Sequence, residues 1–363
     1  IMLMLKMLDI YIFKNFILRV IFLLLIISSI IILTNFVEMI DNFINAGMGS
    51  KEIFNYYFLT IPMFISYAIP MSITIGVVLS ILSHIKNNEL IAIRSLGIGY
   101  LRIGTIIALC SLLISFGHFY FENNIVSNSN HKRTILMKKY NLKKNKTKLR
   151  NFVEDIDKSK SIVIMNYNNK KEVANNITIN DINKNNNVTY RIDAKSMKWN
   201  SKYDKWFFDE MNLRLWINNI LQKQSIIKDT LVSIKNINPI YLISEFTLPE
   251  EMNYYELLEF INVKKESSSN TNKWEVGLHH KISYPFSNLF LTLFAIVCAI
   301  GLKSSNVSYG VGLSLLIIVI YYILIVIGKN LGIEGTISPL VSAWIPNLSV
   351  FAMTIIYYKR FVF

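Results

Sequence analysis

A chain of 363 residues that is 52% hydrophobic and yet carries a formal charge of +14 is too apolar for an ordinary soluble domain. The charge does not mark a nucleic-acid binder, because residues 122–280 hold 26 Lys/Arg against 18 Asp/Glu while the remainder carries a further +6. One basic run stands out, His131–Arg150 with nine Lys/Arg and no acid, but the Lys/Asn/Ile-heavy composition raises lysine everywhere, and no nucleic-acid partner is expected.

Six long uncharged stretches organise the chain: Val20–Val37, Ile53–Ser83, Ile103–Phe121, Ile282–Leu302, Ser304–Gly328 and Gly335–Tyr358. About 20 apolar residues at 1.5 Å per residue cross a hydrocarbon core, so each is a membrane span. The expected fold class is therefore a membrane α-helical protein with six transmembrane helices, three before and three after an inserted aqueous domain. Met2, Met4 and Met7 are all eligible translation starts. The first apolar core is too long for a cleavable signal and no small-x-small site follows it.

Asn35, Glu38 and Asp41 mark the wet end of the first span. Pro62 and Pro70 interrupt the second, where the lost backbone donor bends a helix and serves packing or a gate alike. The segment His84–Gly97 between the second and third spans predicts a short helix. Asn87 or Asn88 is placed to cap it, Glu89 suits its positive end, and Gly97 stops it. Leu90, Ile91, Ile93 and Leu96 give that helix more apolar surface than a solvated loop carries. It either lies on the membrane surface or inserts into a cleft on a cytoplasmic protein, with Glu89 and Arg94 making the charged contacts.

The polar block reads as β structure. Ser161–Tyr167, Val188–Trp199, Lys205–Trp216 and Ser225–Ile234 alternate with β-branched and aromatic residues, punctuated by Asn185-Asn186-Asn187 and Asn200-Ser201. A sandwich, jelly roll or open barrel fits such spacing. Residues 263–273 read as a solvated linker returning to the membrane, and the pair His279-His280 as a solvated turn at the fourth span's entrance.

Short loops carry the orientation signal. Lys6, Lys14, Arg19, Lys86, Arg94, Arg102, Lys303, Lys359 and Arg360 fall on the side of the termini, against only Lys51 and Lys329 on the other. Both termini are thus expected in the cytoplasm, with the large domain outside, in the periplasm where the cell has two membranes. The two cysteines, Cys110 and Cys298, lie inside spans and leave the aqueous domain without a disulfide framework.

Catalytic motifs are missing. The sequence has no GxxxxGK[ST] loop, HExxH, CxxC or GxSxG. No acid falls inside the six apolar cores, which disfavours a gradient-driven transporter. An enzyme acting on lipid-linked substrates would have His118, His279 or His280 as its base, with Glu122 beside His118 near the outer face.

The pattern resembles the LptF/LptG permease family of the lipopolysaccharide exporter over nearly the whole chain. The resemblance rests on Leu8-Asp9-Ile10-Tyr11-Ile12, Phe36-Val37-Glu38, Ile69-Pro70-Met71 and, most closely, Asn88–Ile98. It continues through Ala194–Trp199 with Trp206, Lys281–Phe286, Ser338-Pro339 and Trp344-Ile345-Pro346-Asn347. The Leu-Asp-x-Tyr-Ile start and Phe-Val-Glu lean towards LptG.

That resemblance implies a non-catalytic half-transporter: membrane helices over residues 1–121 and 274–363, with a coupling helix at about 84–97, and a periplasmic β-jelly-roll domain over 122–273. It implies a sister LptF/LptG-type subunit, a cytoplasmic ABC ATPase dimer holding the ATP and magnesium, a periplasmic bridge of LptC/LptA type, and lipopolysaccharide as cargo. This chain itself would hold no cofactor or metal. Asn88, Glu89, Leu90, Ile93, Arg94 and Gly97 would form the ATPase-coupling helix. Asn35, Phe36, Glu38, Asp41 and Lys51 would border the lipid-cavity entrance. Family members carry lysines near the outer end of the first span where this chain has Asn35, Asp41 and Asn42, and an arginine beside the fourth-span lysine where His280 precedes Lys281. The alternative readings are a permease of another lipid or lipoprotein ABC exporter and the membrane enzyme above.

Overall fold

A computed structural model describes residues 2–97, 99–140, 142, 148–156, 159–168, 171–183, 187–217, 220–234, 237, 239, 242, 248–266, 270–301 and 307–361. Lys303 of the orientation count and most of the Asn185-Asn186-Asn187 punctuation lie outside them. The chain divides into a helical unit, residues 1–142, 250–254 and 272–363, and a sheet unit, residues 143–249 and 255–271.

The helical unit begins with α1 (Met2–Asn45), α2 (Ser50–Lys86), α3 (Glu89–Ser95) and α4 (Tyr100–Phe121). A single π turn, Glu122–Val126, joins α4 to α5 (Ser127–Lys139). Helices α7 (Asn272–Gly301), α8 (Val307–Glu334) and α9 (Pro339–Phe361) complete it. Among the described residues six helical segments are long and apolar enough to cross a membrane: Met7–Asn45, Ser50–Lys86, Arg102–Lys139, Asn272–Gly301, Val307–Ile333 and Pro339–Arg360.

Several helices outrun their apolar stretches. Helix α1 has 44 residues, about 66 Å at 1.5 Å each, against a hydrocarbon core of about 30 Å. Its excess is held by packing, because Phe43 is fully buried against Met48 and Tyr56, with Leu136, Met137 and Tyr140 beside them. Asn35, Glu38 and Asp41 therefore lie within a continuing helix. The π turn carries the third span on into α5, so the helical unit takes in Glu122–Leu142, which the sequence reading groups with the outer domain.

Two apolar clusters hold the unit together. Ile12, Phe16 and Val20 of α1 pack with Ile73, Val77 and Ile81 of α2, Ile103 and Ile107 of α4, and Ala295 and Ala299 of α7. Tyr284, Leu291 and Phe294 of α7 pack with Ile317, Tyr321 and Ile325 of α8 and Val350 of α9. Helices α8 and α9 meet at small residues: a Cβ on Gly328 would lie 2.6 Å from the Ser342 carbonyl oxygen. Such small-xxx-small spacing lets backbones approach in a medium where apolar surface gains nothing by leaving lipid.

The sheet unit is an antiparallel meander, β1 (Lys148–Asp155), β2 (Lys160–Asn168), β3 (Val173–Ile182), β4 (Val188–Asn200), β5 (Lys205–Ile217) and β6 (Ile220–Val232), paired in that order. A jelly roll divides eight strands between two sheets. The described strands make one sheet, with irregularities at Asp181/Ile182 and Leu215/Trp216. Ile162, Ile164, Ile177, Met197, Trp206 and Phe208 form its core. The Trp206 indole N–H donates to the Ile237 carbonyl at 2.6 Å, which satisfies its one polar group inside an apolar site.

One sequence expectation fails here. Residues 263–266 are not linker but the last turn of α6 (Tyr254–Glu266). Leu257 and Ile261, four apart, are buried on one face, and Val263 packs against the sheet core. Lys264, inside the supposed linker, is itself buried and lies 3.9 Å from the Glu154 carboxylate, also buried. A solvated reading of its Lys-Lys-Glu overlooked the apolar stripe just before it. Helix α7 then begins at Asn272, and residues 267–269 lie outside the described set.

Candidate functional site

Helix α3 is built around Glu89. The Tyr11 hydroxyl donates to Oε2 at 3.1 Å, His84 Nδ1 donates to the same oxygen at 2.7 Å, and Asn87 Nδ2 donates to Oε1 at 3.1 Å. Partial burial pushes the Glu89 carboxyl up, but the bonds from His84, Asn87 and Tyr11 outweigh it and hold the group below its ordinary value. Glu89 thus ties α3 back onto α1 and α2. Neither asparagine caps α3 in the expected way: Asn88 sits in the left-handed region at φ 59° with no side-chain cap bond, and Asn87 bonds the Glu89 side chain instead.

Packing divides the α3 residues into two sets. Leu90 is buried and Ile93 lies against the same α1–α2 core, so both anchor the helix. Ile91 and Leu96 are 66% and 70% exposed, and Arg94 is exposed between them. Gly97 closes the helix at φ +80°, donating its N–H to the Arg94 carbonyl at 2.9 Å, as the sequence suggests. Sequence reasoning missed Tyr11 and His84. Tyr11 is 78 residues from Glu89, and no local spacing could have named it.

The candidate cavity-entrance residues are less closely gathered. The Tyr57 hydroxyl donates to Asn35 Oδ1 at 3.4 Å and its ring lies 5.8 Å from that of Phe36. Glu38, Asp41 and Lys51 are exposed and form no ion pair among the described residues.

A buried polar chain runs between α2, α4 and α7. Ser66 Oγ lies 2.9 Å from His118 Nε2 and donates to Glu122 Oε2 at 2.5 Å. Asn288 Nδ2 lies 3.2 Å from His118 Nδ1. Tyr284 reaches the Ser66 carbonyl at 3.4 Å and the Tyr322 hydroxyl at 3.2 Å. Ser66, His118 and Asn288 are buried. An acid does therefore lie within the third long helix: Glu122 sits past the apolar core read from sequence but inside the span's continuation through the π turn.

The His279-His280 turn is also corrected. Both residues lie within α7, half-buried, and the His280 ring is 5.4 Å from that of Tyr284. Buried apolar residues of α7 begin two turns before the stretch that hydropathy picks out, at Trp274, Val276 and Leu278. Among the described residues no group of three or more His, Cys, Asp or Glu could hold a metal ion.

A family model described as "Lipopolysaccharide export system permease LptF/LptG" matches residues 10–360, nearly the whole chain. No individual curated protein matches it at a significant level.

Proposed function

Since the chain belongs to the LptF/LptG family of lipopolysaccharide export permeases, a family of transmembrane transport proteins, we propose that it is one half of an ATP-driven exporter and does no chemistry of its own. A sister subunit of the same family would complete the bundle. Helix α1, the least buried of the six candidate spans, would border the lipid path. Asn35, Phe36, Glu38, Asp41 and Lys51 would stand at its entrance. Lipopolysaccharide would be extracted from the inner membrane and handed through the sheet unit, acting as a jelly-roll-type slide, to a periplasmic bridge. Counting charges in short loops puts α3 and both termini in the cytoplasm and the sheet unit in the periplasm.

The observation that carries this reading is the α3 ledge. A seven-residue helix between two spans is pinned from behind by Glu89, Leu90 and Ile93 while it offers Ile91, Arg94 and Leu96 outward. A rigid, partly apolar knob at that position suits insertion into a cleft on a cytoplasmic ATPase dimer, which would bind the ATP and magnesium. Leu96→Asp tests it, because a charge on the exposed knob leaves the bundle intact. We expect the tagged variant to lose a co-purifying ATPase that the native chain retains, at unchanged expression and thermal stability. Equal recovery of the ATPase would contradict the assignment.

A further inference from the structure

An open cleft of about 410 Å³ lies between α1, α2 and Val307 at the start of α8, at the end of the bundle that carries α3. Phe22, Leu23 and Leu79 form its apolar wall, and Arg19, Ser83 and Lys86 its polar one. Arg19 is only partly exposed. It donates from Nη1 to Ser80 Oγ at 3.1 Å and from Nη2 to Ser83 Oγ at 2.9 Å.

These bonds orient the guanidinium without neutralising it. Arginine stays charged at any accessible pH and has five N–H donors, of which the two serines take two. No carboxylate lies within ion-pair distance of Arg19 or Lys86 among the described residues. The contrast with Arg102 at the same end is direct, since Arg102 grips Asp9 through both carboxylate oxygens at 2.9 and 3.1 Å. A fixed cation inside a membrane-spanning helix, beside an apolar wall, calls for an anion that brings its own apolar tail.

We propose that this cleft binds one anionic phospholipid of the surrounding leaflet. Arg19, with Lys86 at the rim, holds the headgroup phosphate, and Phe22, Leu23 and Leu79 receive the first methylenes of an acyl chain. Ser80 and Ser83 pre-orient the guanidinium fork for a phosphate, which reduces the ordering cost of binding. The site lies on the α3 side of the first span, away from Asn35–Asp41 at its other end, and needs neither cargo nor ATP.

The test is native mass spectrometry of the full chain with its co-purifying subunits, delipidated and then offered phosphatidylglycerol or phosphatidylcholine in equal amounts. The native protein should retain phosphatidylglycerol at least about tenfold more strongly than phosphatidylcholine, with one tightly held lipid assigned to this cleft. Arg19→Gln and Lys86→Gln should each remove most of that preference, and Arg19→Lys should keep part of it. Lys86 is exposed, so Lys86→Gln serves as the folded control if Arg19→Gln proves unstable. Unchanged selectivity in both Gln variants, equal retention of phosphatidylcholine, or displacement by millimolar inorganic phosphate would overturn the proposal. Because the readout is bound lipid, failure of the export reading would leave it standing, and the reverse holds as well.

Discussion

Glu89→Ala is the sharpest perturbation the structure offers. It removes one acceptor that three donors share. Tyr11 and Asn87 are exposed and regain water at little cost. His84 is not: its side chain is 2% exposed and its Nε2 already has no partner. Stranding Nδ1 as well leaves a buried orphan donor, which costs about 1–3 kcal/mol. Glu89 itself is 28% exposed, so water screens its charge and the lower part of that range applies, about 1–2 kcal/mol. The loss falls on the anchorage of α3 and should raise its local opening about 5- to 30-fold. Amide hydrogen exchange over residues 89–96 reads this directly, with the bundle core as internal reference. The sign of the pH dependence follows from the lowered Glu89 carboxyl. A depressed acid stabilises the fold fully above its unfolded value, here 4.5, and the contribution fades as pH falls through the lower folded value. Native α3 should therefore hold its protection at neutral pH and lose it only in acid, and Glu89→Ala should lack that acid step. Native-like protection in the variant, with the ATPase nonetheless lost, would mean that Glu89 faces the partner and not the bundle.

Further substitutions probe three separate contacts. Gly332→Ala drives a methyl into the Ser342 side chain and to 2.7 Å from Val276 Cγ2, and Gly328→Ala drives one into the Ser342 carbonyl oxygen at 2.6 Å. Each should cost about 1–3 kcal/mol by thermal unfolding in detergent. Ser342→Gly should rescue Gly332→Ala in part and Gly328→Ala not at all, since only the first obstacle is a side chain. Lys264→Met removes the ammonium 3.9 Å from the buried Glu154 carboxylate and should lower the stability of the sheet unit, followed by the fluorescence of the buried Trp206. Adding Glu154→Leu should recover most of that loss, and no recovery would show that the pair is not the cause. Ser66→Ala breaks the bridge between His118 and Glu122 and should lower the unfolding midpoint by the equivalent of about 1–3 kcal/mol, with an unshifted midpoint counting against the chain described above.

Hydropathy located all six spans because a membrane demands a length of apolar sequence that few other structures need. It missed where the helices end, because Phe43 and Leu136, past the apolar stretches of their own helices, pack in one cluster with Tyr56 by contacts that no local pattern shows. Four of the six strands were legible from alternation, β2, β4, β5 and β6. Strands β1 and β3 were not: Lys148–Asp155 and Val173–Ile182 place charged or asparagine residues among their apolar ones. Asn176 is carried inside β3 at φ 53°, a conformation asparagine tolerates better than most residues. The α3 ledge was legible as a helix between Asn88 and Gly97, but its inward and outward faces were not. That division depends on Tyr11 and His84, which reach Glu89 from α1 and α2.

The buried chain around Ser66 bears on the enzyme reading through the direction of its hydrogen bonds. A serine nucleophile gives its proton to an imidazole that is free to accept it. Here the Ser66 hydroxyl has one proton and donates it to a Glu122 carboxyl oxygen at 2.5 Å. His118 Nε2, 2.9 Å away, must then donate to Ser66 Oγ, and its Nδ1 accepts from Asn288 Nδ2. These three bonds thus run from Asn288 through His118 and Ser66 towards Glu122, the reverse of an activated serine. The arrangement links four pieces of helix, α2, α4, the π turn and α7, with a directed set of polar contacts in a region where a charge without partners is costly. The π turn, the one irregularity in the third span, begins at Glu122 itself, where the chain meets its acceptor.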